Sequence, residues 1–346
     1  MPKSNFVCID SKHLKIIKSE DYNYFFNKRN GFMARWGKNK EDDPVMAPFP
    51  EILDIEVSTI CNNGCPFCYK SNTAIGKNMS LDTFKQIMDK FKVNDFYPLS
   101  QIAYGSDSSG TSNPELFDMM RYARSIGIIP NITIADISDS TADVLADVCG
   151  AVAVSRYKDK NKCYDSVKKL VDRGLKYVNI HICLSVENLD MVYETLQDFN
   201  TDDRLKGVFC IVLLSLKKKG RGINHSSVSQ EQFNDVVNFA FNNKVPFGFD
   251  SCSYSKFINS IKNHPEKVQM EQMAEPCESF GLFSSYINVD GRYFPCSFCD
   301  GVNEDWKDGI DVLSCGSFSE IWHNPLVEKY RQKSLSCNRE CLVYSI

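Results

Sequence analysis

The 346-residue chain predicts an α/β fold, a partial (β/α)6 barrel followed by a small cysteine-rich C-terminal domain. Three observations predict it. Between residues 51 and 250, short β-branched runs alternate with amphipathic stretches, the pattern of repeated βαβ units around a parallel sheet. Cys61, Cys65 and Cys68 form a CxxxCxxC triplet just after the first of those runs. Beyond residue 250 the alternation stops and cysteines return.

Residues 1–50 mix short apolar pieces, the aromatic run Tyr22 to Phe26 and a turn-rich segment ending at Pro48-Phe49-Pro50. They read as an irregular N-terminal arm packing on the barrel, too short for a recognition domain of their own. Strands are expected at 52–58, 101–104, 130–135, 151–155, 177–184, 207–215 and 245–249. The first helix takes Ser80 as its N-cap, with Leu81, Phe84, Met88 and Phe91 at helical spacing. The second opens at Asn113-Pro114, a cap with proline at the first helical position, and carries Leu116, Met119, Met120 and Ala123 on one face. Further helices fall at 139–148, 161–173, 188–199 and 229–242. Residues 251–346 hold a bridging helix and the cysteine-rich domain.

A hydrophobic content of 43% at this length supports a full core. No apolar run reaches the roughly 18 residues of a membrane span, and the N-terminus lacks the apolar core of a signal peptide, so a cytoplasmic protein is expected. Fifteen cysteines in a long chain without an export signal point to metal ligation rather than to a disulfide scaffold. The net charge of −4 does not favour nucleic acid as a partner.

Three thiolates on one short loop supply three corners of a [4Fe–4S] cube and leave the fourth iron open to a small chelating molecule. Zinc is the other chemistry of closely spaced cysteines, but zinc knuckles usually come as two CxxC pairs. In CNNGCPFCY the chain resembles the radical S-adenosylmethionine (SAM) superfamily, with Phe67 as the aromatic residue before the third cysteine. The resemblance implies a TIM-like barrel, SAM chelated to the open iron, and its reductive cleavage to methionine and a 5′-deoxyadenosyl radical that takes a hydrogen from substrate. It also implies a flavodoxin- or ferredoxin-type electron donor.

The same resemblance places a SAM pocket at the strand ends. Where the family commonly has Gly-Gly-Glu after strand two, this chain has Gly105-Ser106-Asp107, which keeps one glycine and a carboxylate. An ordinary glycine turn capped by the aspartate is the alternative reading. Ser155 resembles the family's strand-four serine, and Arg156 is placed to pair with the SAM carboxylate. Asn131, Thr133 and Asp136 border strand three, with Asp136 either reaching the ribose or capping the next helix. Leu216 to Gly222 resembles a Pro-x-Gly-Arg loop, its lysines reading as a solvated loop more readily than as a phosphate cradle.

Cys277, thirteen residues, Gly291, four residues and Cys296 read as a hairpin with an Asp-Gly turn. This resembles the opening of the SPASM/Twitch extension of radical SAM enzymes, and the likeness continues through Phe318 to Trp322 and Cys337 to Cys341. It implies one auxiliary [4Fe–4S] cluster on Cys277, Cys296, Cys337 and Cys341, with Cys299 and Cys315 in reserve and zinc or free thiols as the alternative. Cys252 and Asp250, just past the last barrel strand, are candidates for a hydrogen-atom donor and a base, or else a buried cysteine and a helix cap. Cys8, Cys149, Cys163, Cys183 and Cys210 read as core or strand residues. The leading expectation is modification of a peptide by crosslinking, epimerisation or oxidation. The alternatives are a small molecule or nucleobase as substrate, or a non-catalytic iron–sulfur module.

Overall fold

A computed structural model describes residues 6–39 and 41–344. The N-terminal segment is more regular than the arm expected from sequence. Strands β1 (Val7–Asp10), β2 (Leu14–Lys18), β3 (Asn23–Asn27) and β4 (Met33–Trp36) form an antiparallel meander in chain order. Its period is 2, hidden in sequence because both faces carry aromatics: Tyr22, Tyr24 and Phe26 are buried while Asn23 and Phe25 are half-exposed. The buried face packs on Ile129, Leu282 and Phe283. Lys15 from β2 is fully buried and donates to the carbonyls of Tyr97 (2.6 Å) and Leu99; burial lowers its pKa to about 8.

The main sheet begins at β5 (Ile52–Glu56) and continues through β6 (Gln101–Gly105), β7 (Ile129–Ile134), β8 (Ala151–Ser155), β9 (Val178–Leu184), β10 (Cys210–Ser215) and β11 (Phe247–Phe249). All pair in parallel and lie in chain order with no reversal. That is the winding of a (β/α) barrel rather than of a doubly wound sheet, which would contain a switch point. Among the described residues no pairing joins β11 back to close a ring.

Helices α1 (Leu81–Lys90), α2 (Leu116–Ser125), α3 (Asp139–Val148), α4 (Lys160–Asp172), α5 (Leu189–Asp198) and α6 (Gln230–Asn242) fill the crossovers. Ser80, Ser138, Asp159 and Ser229 accept from the first-turn amides as N-caps, and Ser229 with Gln232 completes a capping box. Helix α2 starts later than its Asn-Pro signal predicts: Asn113 Oδ1 accepts from the Glu115 amide (2.9 Å), while its Nδ2 donates to the Val57 (2.8 Å) and Met79 (2.9 Å) carbonyls and ties the turn to the chain just past β5.

After α7 (Tyr254–Ile261) and α8 (Lys267–Met273) the chain returns to the same sheet. Strand β12 (Ser284–Ile287) pairs in parallel with β5, and β13 (Arg292–Phe294) and β14 (Ile310–Asp311) follow antiparallel, giving ten strands. The expected Asp290-Gly291 hairpin turn is present, with Gly291 at φ +72°. Helices α9 (Phe318–Trp322) and α10 (Pro325–Ser336) close the chain, and one apolar cluster runs from α1 to Tyr330. The cysteine-rich segment therefore extends the barrel sheet and shares its core, instead of standing as a separate appendage. Among the described residues no helix is long and apolar enough to cross a membrane.

Candidate functional site

Cys61, Cys65 and Cys68 lie on the loop that leaves the C-terminal end of β5, the end where parallel α/β folds place their chemistry. Gly64, at φ +62°, reverses the chain between the first two. All three thiols are free and partly exposed. Their backbone is committed: the Cys61 amide donates to Thr73 O (2.7 Å), and the carbonyls of Cys65 and Cys68 accept from Arg221 Nε (2.8 Å) and the Arg221 amide (3.0 Å). Gly220 sits so close that a Cβ would fall 2.5 Å from Tyr69 O and 2.7 Å from Cys68 O, and its φ is +54°. Gly222 is as tight against Lys217 O, at 2.5 Å. Burial raises the pKa of Cys65, opposed by hydrogen bonds from Tyr157 and from Asn63 Nδ2 (3.0 Å). Phe67 packs with Tyr157 and edge-on to His225, ring centroids 5.8 and 6.0 Å apart.

The residues expected around SAM separate into free and committed groups. Gly105 is exposed at the end of β6, and a Cβ there would meet only ordinary contacts. Ser155 is half-buried at the end of β8. Asp107 is not available to an ammonium group: its carboxylate accepts from the Ser109 and Ser112 amides (both 3.0 Å), from Ser106 Oγ (3.2 Å) and from the Ser109 hydroxyl. Burial pushes its pKa up, but these donors outweigh it and hold the carboxyl below its ordinary value. The capped-turn reading is the one the geometry satisfies, with Ser106 inside the cap. Arg156 is likewise turned away from the strand ends. Its guanidinium is buried against Glu194 (2.7 Å), the Tyr157 carbonyl and the face of Tyr164. Asp136 pairs with Lys162 (3.2 Å), and Ser138 caps α3 in its place.

The lysine loop is a brace rather than a solvated segment. Lys217 is buried, with Nζ 2.9 Å from Asp250 Oδ2 and 2.9 Å from Ser215 O, and lies over the Phe298 ring. Lys219 reaches the carbonyls of Phe298 (3.3 Å) and Asp300 (2.5 Å). Asp250 also accepts from the Ser215 amide (3.2 Å) and Ser253 Oγ (2.8 Å). With three donors around it, Asp250 is an anchor and not the free base first considered. Cys252 is mostly enclosed beside Lys217 and Asp250; burial and the Asp250 charge raise its pKa, with Cys277 and Cys341 in electrostatic range.

Of the expected set, Cys296 and Cys341 lie within electrostatic reach of Cys277. Cys296 and Cys299 lie with sulfurs 3.4 Å apart, and Cys299 is fully buried. The Cys341 thiol accepts from the Tyr344 amide (3.4 Å), whose hydroxyl donates to Phe298 O (3.4 Å) between the first pair. Arg339 ties the same segment to Cys277 through the Cys277 carbonyl (2.9 Å). Burial pushes Cys277 up to about 12, with Cys296 and Cys341 nearby. Cys337 follows α10, its sulfur 3.4 Å from Ser334 O and 3.8 Å from Glu340 O, and Cys315 donates to Asp311 O (3.3 Å). Among the described residues no three His, Cys, Asp or Glu side chains meet around a single point, as one metal ion requires.

The second face of the sheet, opposite the helices, is polar. Leu53 and Ile55, Ile132 and Ile134, Ile180 and Ile182 point into the helix-covered core. By alternation Asp54, Thr133 and His181 point the other way, and water reaches each of them. Burial alone raises Asp54 to about 6. It lowers His181 to about 4, with Asp250 partly opposing, so the imidazole is neutral near pH 7. Sequence reading missed Asp54 and His181 because single polar residues inside apolar runs carry no motif. At the other end of the strands a cavity of about 770 Å³, lined by Lys12, His13, Lys28, Arg29 and Arg124, lies under the N-terminal meander, away from the cysteine loop.

No protein-family model matches the chain, and no curated protein sequence matches it. Among solved structures it is similar to BtrN in complex with AdoMet and 2-DOIA, at 12% identity and a TM-score of 0.41, over 82% of this chain and 86% of that one. It is also similar to an HpcH/HpaI aldolase from Desulfitobacterium hafniense DCB-2, at 9% identity and a TM-score of 0.34, over 66% of this chain and 95% of that one.

Proposed function

We propose that this chain is a radical SAM enzyme. One observation carries the reading: a CxxxCxxC loop at the C-terminal end of the first of seven sequentially wound parallel strands, with its carbonyls pinned and its three thiols left free. The residues fit a four-iron cluster, since three sulfur donors on a fixed loop leave one iron for SAM. Bound there, the cluster and SAM supply a one-electron cleavage that yields methionine and a 5′-deoxyadenosyl radical.

The chain's own residues hold and order that chemistry. Arg221, Gly220 and Gly222 fix the loop backbone, so loading the sulfurs requires little rearrangement of the chain. Tyr157 and Asn63 donate to Cys65 and offset part of the burial that disfavours its thiolate, the form that ligates metal. Gly105 lets a ligand approach the backbone closely at the end of β6, and the Ser155 hydroxyl offers a polar contact at the end of β8.

For the auxiliary cluster we infer the set Cys277, Cys296, Cys299 and Cys341, in which Cys299, paired with Cys296, takes the place of Cys337, whose thiol lies toward the Ser334 and Glu340 carbonyls. Anaerobic reconstitution tests both sites. Wild-type protein is expected to hold about eight irons and to form 5′-deoxyadenosine when reduced with SAM. Replacing Cys61, Cys65 and Cys68 together by alanine should abolish that product and leave about four irons. Survival of SAM cleavage in that variant overturns the assignment.

A further inference from the structure

Two arginines from opposite ends of the chain close on the segment that carries Cys277. Arg35, on β4 of the N-terminal meander, has a side chain only 6% exposed, with its guanidinium 3.9 Å over the Phe283 ring. Its Nη2 bonds Glu278 and lies 3.6 Å from Glu275, the two residues that bracket Pro276-Cys277. Its Nη1 reaches Glu51 (3.4 Å), buried just ahead of β5. Arg339 grips the same segment from the C-terminal end. Its Nε donates to the Cys277 carbonyl (2.9 Å) and its Nη2 to the Pro276 carbonyl (3.3 Å), with Glu275 at 3.9 Å and the same Phe283 ring at 5.5 Å. Both arginines act on the chain around Cys277 rather than on its thiol.

The backbone that delivers Cys341 is set by the second of these arginines. Past α10 the Arg339 amide donates to Ser334 O (2.9 Å), the closing bond of a helix C-cap, and Asn338 and Arg339 both stand at positive φ, +55° and +60°. The left-handed region is unfavourable for a residue with a Cβ, and it persists where surrounding bonds over-determine it. The Arg339 side chain supplies those bonds, and Cys341 follows two residues later. A cluster needs its sulfurs held by a chain whose own place is locked. We propose that Arg339 and Arg35 are positioning residues for the auxiliary cluster, which fix the segments of Cys277 and Cys341 against each other before iron arrives, so that the N-terminal meander is a working part of that site. The inference rests on the auxiliary-cluster reading given above.

The test takes as its parent the full chain with Cys61, Cys65 and Cys68 replaced by alanine, in which all iron reports the C-terminal site, about four irons after anaerobic reconstitution. Iron content and the rate at which a ferrous chelator strips the loaded cluster are measured. Arg339→Met and Arg35→Met should each lower the iron content and speed the stripping roughly 10- to 100-fold, the usual effect of removing a group that orients a metal ligand. Arg339→Lys, which keeps the charge for Glu275 but cannot span two carbonyls, should fall between the parent and Arg339→Met. Arg331→Met controls for general destabilisation. That arginine is 1% exposed and holds the Gly281 (2.7 Å) and Trp322 (2.6 Å) carbonyls instead, so its loss should lower stability in urea and leave the iron content unchanged. The proposal is overturned if either of the Arg339→Met and Arg35→Met variants keeps the parent's iron and stripping rate, or if Arg331→Met loses iron as fast as they do. A parent that takes up no iron overturns the auxiliary site and this proposal with it, whereas 5′-deoxyadenosine formed by the wild-type protein tests the first cluster independently.

Discussion

Replacing Lys217 by methionine removes a buried cation while keeping much of its volume, and leaves Asp250 without its ion-pair partner. The two groups are 2.9 Å apart, and the Lys217 side chain is 2% exposed. At an effective dielectric constant of about 20 the attraction at that distance is about 6 kcal/mol before desolvation is subtracted. Breaking a buried pair from one side costs about 3–5 kcal/mol, because the remaining charge stays poorly solvated. Asp250 is about one-fifth exposed and keeps the Ser215 amide and Ser253 hydroxyl as donors, which places the expected loss at the lower end, about 3 kcal/mol. Asp250→Asn should cost a similar amount, and the double variant less than the sum, with a coupling of about 2 kcal/mol. Urea unfolding of the metal-free protein, followed by circular dichroism, measures all three. Single losses below about 1 kcal/mol that add in the double variant would refute the anchoring role. Asp250 would then be free for the catalytic part first considered, and its amide variant should lose turnover without losing stability.

Gly220→Ala puts a methyl group within 2.5 Å of Tyr69 O at positive φ, so reconstituted protein should retain less iron on the Cys61–Cys68 loop, seen by iron counting in a background lacking Cys277 and Cys296. Cys337→Ala should leave the iron content of reconstituted protein unchanged while Cys299→Ala lowers it by up to about four irons; the opposite pattern restores Cys337 to the ligand set. Stability against pH should reveal two opposing slopes. Asp54 binds its proton more tightly folded than unfolded, so its contribution falls as pH rises from 3.8 to about 6, whereas His181, lowered from 6.5 to about 4, contributes stability that falls as pH drops through the same window. Relative to wild type, Asp54→Asn should therefore lose stability toward acid and His181→Gln toward neutral pH, each by up to about 3 kcal/mol in urea titrations.

Much of the sheet was legible in sequence because each parallel strand is buried on its helix side and bounded by capped helices. The cap signal at Ser80 is local, and the strand limits fall within a few residues of those expected. The N-terminal meander was not legible, since Tyr22 to Phe26 shows no polar alternation for a period of 2 to appear in. The cysteine loop announced itself by spacing alone. The commitments of Asp107, Arg156 and Asp250 did not, because their partners are either turn amides or residues 33 to 38 positions away, and spacing carries no information about either.

The return of β12 to the edge of β5 gives the C-terminal cysteines their place. Parallel pairing of Ser284–Ile287 with Ile52–Leu53–Asp54–Ile55 sets the hairpin beside the strand that carries the CxxxCxxC loop. Lys70, two residues past Cys68, then reaches Asp300, one residue past Cys299, while also pairing with Glu56 at the end of β5. Lys219, next to the glycine that packs on Cys68, holds the Phe298 and Asp300 carbonyls from the other side. The two cysteine loops are thus joined by two lysines, one drawn from the first loop and one from its brace. Lys70→Met should therefore disturb both sets of cysteines at once, lowering iron on each loop, whereas Arg221→Ala, whose contacts stay within the first loop, should lower it on the first alone. Equal losses from the two variants on both loops would mean that the shared sheet, and not the lysine contacts, couples the sites.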